Sequence, residues 1–284
     1  MITGKTSLFC LFGTPITHSF SPLMHNHFFS KNEIDAVYIC ADLDAARFKN
    51  VKQAIRTMGV KGCNVTIPYK ETIIPMLDEI DAQAKIIGAV NTVAVVDGKL
   101  KGYNTDGIGF IASLKEKAKF DVAGKFATII GCGGASRAIA CYLLKEGVEF
   151  LGLCDIDQKR AQALAKDLRK HYKKACIHVY RSSDEIELKD IDLLVNATGL
   201  GRKKGDPAVI DVKKLHKGVF VYDLIYSPAE PALIKAANAK GCKTMNGLWM
   251  LVYQALKAEE IWQGKSFPGG EKTLLAGVKK AGAL

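Results

Sequence analysis

The sequence predicts an α/β protein of two domains, on three observations. The chain has 284 residues, more than a single hydrophobic core usually serves. Short apolar runs alternate with segments of helical spacing along its length, the pattern of strands joined by crossover helices. The run Phe126-Ala127-Thr128-Ile129-Ile130 stops at Gly131-Cys132-Gly133-Gly134, and a small-residue helical pattern begins at Ala135.

Strand, glycine turn and helix in that order open a dinucleotide-binding βαβ unit of Rossmann type, within a doubly wound sheet. Gly131 lets the chain turn sharply, and Gly133 lets backbone N–H groups approach a pyrophosphate. The helix N-terminus behind them carries partial positive charge. Ser136 stands where the third glycine of G-x-G-x-x-G is usual. The helix closes over 142–147, and 148–154 reads as the next strand, ending at Asp155. An acid there accepts hydrogen bonds from an adenosine ribose diol and repels a 2′-phosphate. Asp157 lies two residues on and Arg160 five, so the loop favours NAD over NADP. Two solvated surface acids are the plainer alternative.

From the N-terminus, 8–12 is a short strand ended by Gly13. Pro22 suits the first residue of a helix with Ser21 as its N-cap, so Ser19 and Ser21 place two hydroxyls where a carboxylate is favoured. Capping by one serine is compatible with that. A strand over 36–40 and one helix over 43–58 follow, then a strand from Gly62 that ends at Pro68, which cannot donate to a ladder. Asn64 and Thr66 share one face of it. Lys70 lies just past its end, where α/β proteins place ligands, although a lone lysine is usually solvated. A helix over 73–87 leads through Asn91 to a strand over 93–96, and Asp97-Gly98 marks a hairpin turn. Asp106 precedes a helix over 108–117, for which capping is its simplest role. Asn64, Thr66, Lys70, Asn91 and Asp106 thus all fall at strand ends or adjoining turns, which suggests one shared site. Further on, 191–195 and 218–222 read as buried parallel strands, 231–240 as a helix ended by Gly241, and 248–262 as a long helix.

Composition bounds the function classes. Hydrophobic residues make up 48% and charged residues 24%, no apolar run approaches a membrane span, and no signal pattern opens the chain. A cytoplasmic protein without a membrane partner is expected. The eight cysteines form no C-x-x-C pair, so buried reduced thiols are expected, with no metal site. The net charge of +11 is spread out, with short clusters at 115–119, 169–174 and 202–204. Nucleic-acid binding wants a denser basic stripe, whereas a small anionic substrate and a dinucleotide both gain from a positive field.

The stretches GTPITHSFSPLMHN, GCNVTIPYK, GAVNT, GYNTDG, GCGGASRA, VNATGLG, YDLIYSP and NGLWMLVYQ run from Gly13 to Gln254. Together they resemble the shikimate dehydrogenase family, which includes NAD-linked quinate/shikimate dehydrogenases. The resemblance implies a catalytic pair, Lys70 and Asp106. It assigns the substrate carboxylate to Ser19 and Ser21, and ring hydroxyls to Thr66, Asn91 and Asp106 with Asn64 close behind. Tyr226 and Gln254 match further substrate contacts. Gly131, Cys132, Gly133, Gly134 and Ala135 match the pyrophosphate turn, and Thr198, Leu224, Gly247 and Met250 match positions by the nicotinamide. The implied reaction is reversible reduction of 3-dehydroshikimate to shikimate by NAD(P)H, in aromatic amino acid biosynthesis. It also implies a substrate-binding domain of residues 1–106 plus 241–284 and a cofactor domain of 107–240. Two departures stand out. Asp155-Ile156-Asp157 replaces the NADP-type asparagine-arginine-threonine, and Arg202, with Lys203 and Lys204 behind it, follows Gly201 where a methionine is usual. NAD is therefore the expected cofactor, with NADP possible through Arg160 and the basic loop. Quinate is the rival substrate, and a non-catalytic metabolite sensor the rival class. Monomer and homodimer stay open.

Overall fold

The computed structural model describes residues 2–203 and 205–282; Lys204, from one basic cluster, lies outside the described residues. The chain divides into two compact units, Met1–Gly109 with Val252–Leu284, and Phe110–Leu251.

The first unit starts with strand β1 (Ser7–Gly13), helix α1 (Ser21–Lys31), strand β2 (Ala36–Asp42), helices α2 (Ala45–Phe48) and α3 (Val51–Thr57), and strand β3 (Gly62–Val65). It continues through β4 (Glu79–Ile80), α4 (Ala82–Ile87), β5 (Thr92–Val96) and β6 (Lys99–Tyr103). The six strands form one mixed sheet in the order β2-β1-β3-β5-β6-β4. β1 pairs parallel with β2 and β3, while β5 pairs antiparallel with β3 and β6. Asp97 (φ 49°) and Gly98 (φ 74°) turn the β5–β6 hairpin, both left-handed as a type I′ turn requires. Val51, Ile55, Val65, Val93 and Leu100 are fully buried on one side of this sheet.

Three of the expected elements are broken. The helix expected over 43–58 is split into α2 and α3 at Asn50, whose φ of −98° and ψ of 7° leave the helical region. The helix expected over 73–87 survives only as a 3₁₀ turn (Ile74–Met76), β4 and α4. Asp78 accepts from Leu100 N–H and β4 pairs with β6, which interrupts the helical run, and Asp81 caps α4 by accepting from the N–H groups of Gln83 and Ala84. β3 stops at Val65, so Thr66 lies beyond the strand rather than on its face.

Helix α5 (Asp106–Ala112) runs into a π-turn (Ser113–Ala118) that ends at Lys119 (φ 52°), and carries the chain into the second unit. There β7 (Phe126–Ile130), α6 (Gly134–Lys145), β8 (Phe150–Cys154), α7 (Gln158–His171), β9 (Cys176–Tyr180), β10 (Leu193–Asn196), β11 (Phe220–Asp223), α8 (Ala232–Ala239) and β12 (Lys243–Asn246) follow in order. All neighbouring strands are parallel, in the order β12-β11-β10-β7-β8-β9. That is the doubly wound order of a dinucleotide-binding sheet, with the switch point at β7/β10. β12 was not expected. It pairs with β11, so the chain leaves this unit at 251/252 rather than at 240/241. Helix α9 (Leu248–Gln263) makes the return, and α10 (Gly270–Lys280) packs on α1 in the first unit.

All eight cysteines are free thiols. Six are buried, and the exceptions, Cys40 and Cys176, lie exposed on the edge strands β2 and β9. Among the described residues no helix is long and apolar enough to cross a membrane.

Candidate active site

In the first unit, residues far apart in sequence meet at the ends of β3, β5 and β6. The turn after β3 closes through Tyr69 N–H on Thr66 C=O (2.8 Å), and Val90 N–H donates to Lys70 C=O (2.8 Å). Tyr69 stacks on Phe48 at 3.8 Å between ring centres. Lys70 is thereby fixed at its backbone, and its Nζ donates to Asp106 Oδ2 at 2.6 Å. Side-chain exposure is only 13% for Lys70 and 6% for Asp106. Asp106 is the first residue of α5 and does not cap it. Asn104 Oδ1 accepts from Asp106 N–H (3.0 Å), which leaves the carboxylate for Lys70.

Asn91 holds the other carboxylate oxygen. Thr105 N–H can only donate, so Asn91 Oδ1 faces it (2.8 Å). Asn91 Nδ2 therefore points to Asp106 Oδ1 (2.9 Å) and Thr105 Oγ1 (2.9 Å), with Gln254 Oε1 at 3.2 Å. Asn64 joins the same lattice, with Nδ2 reaching Asn91 C=O and Thr92 Oγ1, both at 3.1 Å. Asn64, Asn91, Thr92, Thr105, Asp106 and Gln254 are all buried. Both oxygens of the Asp106 carboxylate thus accept from donors, Lys70 Nζ on one and Asn91 Nδ2 on the other. An ammonium beside it can give a proton to an oxygen that gains negative charge.

Of the residues expected here, Lys70, Asp106, Asn91, Asn64 and Gln254 form one bonded cluster. Thr66 lies at the end of β1, where its methyl would meet a Cβ on Gly13 at 2.3 Å. Ser21 is the first residue of α1 and not its cap. Phe20 occupies the cap position, and Ser19 Oγ accepts from Ser21 N–H (3.2 Å). Ser19 N–H bonds Ile16 C=O, a tight turn that starts the helix one residue early. Tyr226 belongs to the second unit. Thr92, Thr105 and Asn104 were missed, although each adjoins an assigned residue in GAVNT or GYNTDG.

In the second unit the glycine turn is built by backbone. Gly131 has φ 94°, and a Cβ on it would come within 3.0 Å of the Ala197 backbone and 2.8 Å of Thr198 Cγ2. No other residue suits it. Gly133 is the N-cap of α6 without a side-chain cap, so the N–H groups of the first turn are presented by Gly134 and Ala135. A Cβ on Gly133 would meet only the Arg160 guanidinium, at 3.6 Å. Uncapped donors, an open approach and a nearby cation fit a pyrophosphate. Asp155 sits at the end of β8, where its Oδ2 accepts from Cys132 N–H (2.6 Å) and its Oδ1 from Asp157 N–H (2.8 Å). Asp157 is the N-cap of α7, accepting from Lys159 N–H (3.0 Å). Ile156, between the two acids, is fully exposed.

The positions expected by the nicotinamide cluster at the ends of β10, β11 and β12. A Cβ on Gly247 would lie 2.0 Å from Leu224 C=O, so these two backbones touch. Thr198 Oγ1 donates to Asn196 Oδ1 (2.7 Å), Asn196 Nδ2 to Asp223 Oδ2 (3.0 Å), and Met250 is buried. Burial pushes the Asp223 carboxyl up to about 6, partly opposed by bonds from Ile225 N–H and Asn196. Gly201 N–H and Lys203 N–H both bond Asp206 Oδ2, and Arg202 between them is exposed.

Residues 11–93 match the shikimate dehydrogenase substrate binding domain. The NADP(+)-dependent shikimate dehydrogenase of Caldanaerobacter subterraneus subsp. tengcongensis is 43% identical over 94% of this chain and 95% of its own. The crystal structure of shikimate dehydrogenase from Aquifex aeolicus superposes with a TM-score of 0.89 at 37% identity, covering 98% of this chain and 99% of that one. Shikimate 5-dehydrogenase from Listeria monocytogenes, in complex with shikimate and NAD, gives a TM-score of 0.84 at 35% identity, over 96% and 98% of the two chains. With its mixed sheet ending in a lysine–aspartate pair and its doubly wound sheet opening on a glycine turn, the chain belongs to the shikimate dehydrogenase family of NAD(P)-dependent oxidoreductases that act on a CH–OH group.

Proposed function

We propose that the protein is a shikimate dehydrogenase that interconverts 3-dehydroshikimate and shikimate and prefers NAD to NADP. The observation that carries the reaction is the 2.6 Å contact between Lys70 Nζ and Asp106 Oδ2, nearly buried and backed by Asn91. The bound nicotinamide supplies hydride to the ketone carbon, or takes it in reverse. As the carbonyl oxygen gains charge, the Lys70 ammonium stabilises it and delivers the proton. In the oxidative direction the neutral amine removes that proton. Asp106 accepts a hydrogen bond from the reacting hydroxyl and keeps it beside Lys70. Ser19 and Ser21 take the substrate carboxylate, and Asn64, Thr66 and Gln254 take ring hydroxyls. Quinate adds a hydroxyl on the carbon bearing the carboxylate, and a serine at both positions favours the smaller acid.

The cofactor preference rests on Asp155. Its charge lies 2.6 Å from the glycine-turn amide at Cys132. A ribose diol can donate to it, whereas a 2′-phosphate is repelled. Arg160, beside Gly133, serves the pyrophosphate. Steady-state rates with shikimate and quinate, each with NAD and NADP, test the whole reading. The expected result is kcat/KM at least about tenfold higher with NAD, a repulsion of ~1.4 kcal/mol, and higher with shikimate than with quinate. Asp155→Asn narrows the cofactor ratio. Because Asp155 also ties the glycine turn, a melting curve on that variant separates cofactor choice from stability. A preference for NADP sinks the Asp155 assignment, and no turnover of shikimate sinks the reaction.

A further inference from the structure

Tyr38, on β2, touches the lattice from behind. Its hydroxyl lies 2.8 Å from Asn64 Oδ1, and the residue is 1% exposed. The direction of this bond follows from the neighbours. Asn91 C=O can only accept, so Asn64 Nδ2 faces it, and Asn64 Oδ1 faces Tyr38. The phenol must therefore donate. Burial raises its pKa well above the ordinary value, so it stays a donor across the working range of an enzyme. With both Nδ2 hydrogens used on Asn91 C=O and Thr92 Oγ1, Asn64 can offer a ligand only the second lone pair of Oδ1.

Helix α1 grips Tyr38 twice. The His25 ring stacks on it at 4.3 Å between centres and 13° between planes. His25 Nδ1 is in turn 2.5 Å from Glu259 Oε1 of α9, and both side chains are fully buried. Asn26 then bonds both main-chain groups of Tyr38, its Oδ1 accepting from N–H and its Nδ2 donating to C=O, each at 2.8 Å. On an edge strand those groups have no second strand to pair with.

We propose that Tyr38 is a positioning residue for substrate recognition: held by His25 and Asn26, its hydroxyl fixes the carboxamide of Asn64 so that Oδ1 accepts from a substrate ring hydroxyl. This rests on the substrate reading proposed above. Tyr38→Phe tests it, since it keeps the ring and its stack and removes one oxygen. With shikimate and NAD, the variant is expected to raise KM for shikimate about tenfold, the size expected for one lost buried hydrogen bond. kcat and the KM for NAD stay within about twofold. In an Asn64→Ala background the same substitution changes KM for shikimate less than twofold, because the group it positions is gone. An unchanged KM in the single variant overturns the proposal, as does an equal rise in both backgrounds. A second measurement needs no substrate: hydrogen exchange of the Asn64 side-chain amide, identified by its loss in Asn64→Ala. It is expected to speed up at least tenfold in Tyr38→Phe, and an unchanged rate also overturns the proposal. If the wild type turns over no shikimate, the reaction assignment fails, and the exchange rate still decides the role of Tyr38.

Discussion

The two sites are built from different materials. In the first unit, side chains from β3, β5, α5 and α9 meet and hold one another, and the Lys70–Asp106 pair is the outer end of that lattice. In the second unit the candidate pyrophosphate turn is built from backbone, and its residues are defined by what they lack. Gly131 has no Cβ to strike Ala197, and Gly133 has none to cover the first turn of α6. A small polyol needs donors and acceptors aimed one by one at its hydroxyls, which only side chains locked by their neighbours provide. A pyrophosphate is a diffuse anion that a row of main-chain N–H groups satisfies. Substitutions in the first unit should therefore damage turnover at little cost to cofactor affinity, and those in the glycine turn the reverse.

The largest expected effect is at the lysine. Lys70→Ala should lower kcat by roughly 10²- to 10⁴-fold, the range of general acid–base catalysis. Binding of NAD, followed by fluorescence titration, should stay within about threefold; unchanged turnover would end the mechanism.

Asp223 tests whether the backbone-built unit has a polar weak point of its own. Its carboxyl is raised to about 6 by burial, so between pH 4 and 6 the native state keeps a proton that the unfolded chain releases. Stability must fall as pH rises through that window, by about 3 kcal/mol in total from this group. Urea unfolding at pH 4, 5, 6 and 7 should show that loss in the wild type and a flatter profile in Asp223→Asn. Equal slopes in the two proteins would rule out Asp223 as their source.

Asn91→Ala removes the donor to Asp106 Oδ1 and leaves Thr105 N–H without its acceptor. An unmet buried group costs about 1–3 kcal/mol. A comparable loss is expected in the melting curve, with kcat down roughly 10- to 100-fold. In the glycine turn, Gly131→Ala should cost roughly 1–3 kcal/mol of stability through its positive φ. The smallest effect, and the sharpest contrast, is Gly133→Ala. Its φ of −83° suits alanine and its Cβ meets only Arg160, so melting should be unchanged while NAD binds about tenfold more weakly. A matching loss of stability at Gly133 would break the distinction between the two glycines.

Local chemistry was legible wherever one short stretch decides the outcome. The FATIIGCGG run has its strand, its turn and its helix start in one continuous piece, and β7 and Gly131 are where the pattern puts them. Asp97-Gly98 likewise carries its own turn. The misreadings came where a distant partner intervened. Residues 73–87 have helical spacing, but Asp78 accepts from Leu100 N–H (2.8 Å), and β4 pairs with β6 in place of a helical turn. β12 is too short and too polar to announce itself, and it exists because β11 offers it a parallel edge.

The sequence by itself determined the alternation of strands and helices, the glycine turn and the residue types able to move a proton or bind a pyrophosphate. Each of these follows from periodicity or from a conformation that one residue permits. Only the tertiary structure decided that the Asp106 carboxylate faces Lys70 36 residues away instead of capping its own helix, and that Tyr38 stands behind Asn64. Hydrogen bonds between distant segments have no period along the chain. Their direction is set by which neighbour can only donate and which can only accept, and that is known only once the strands have come together.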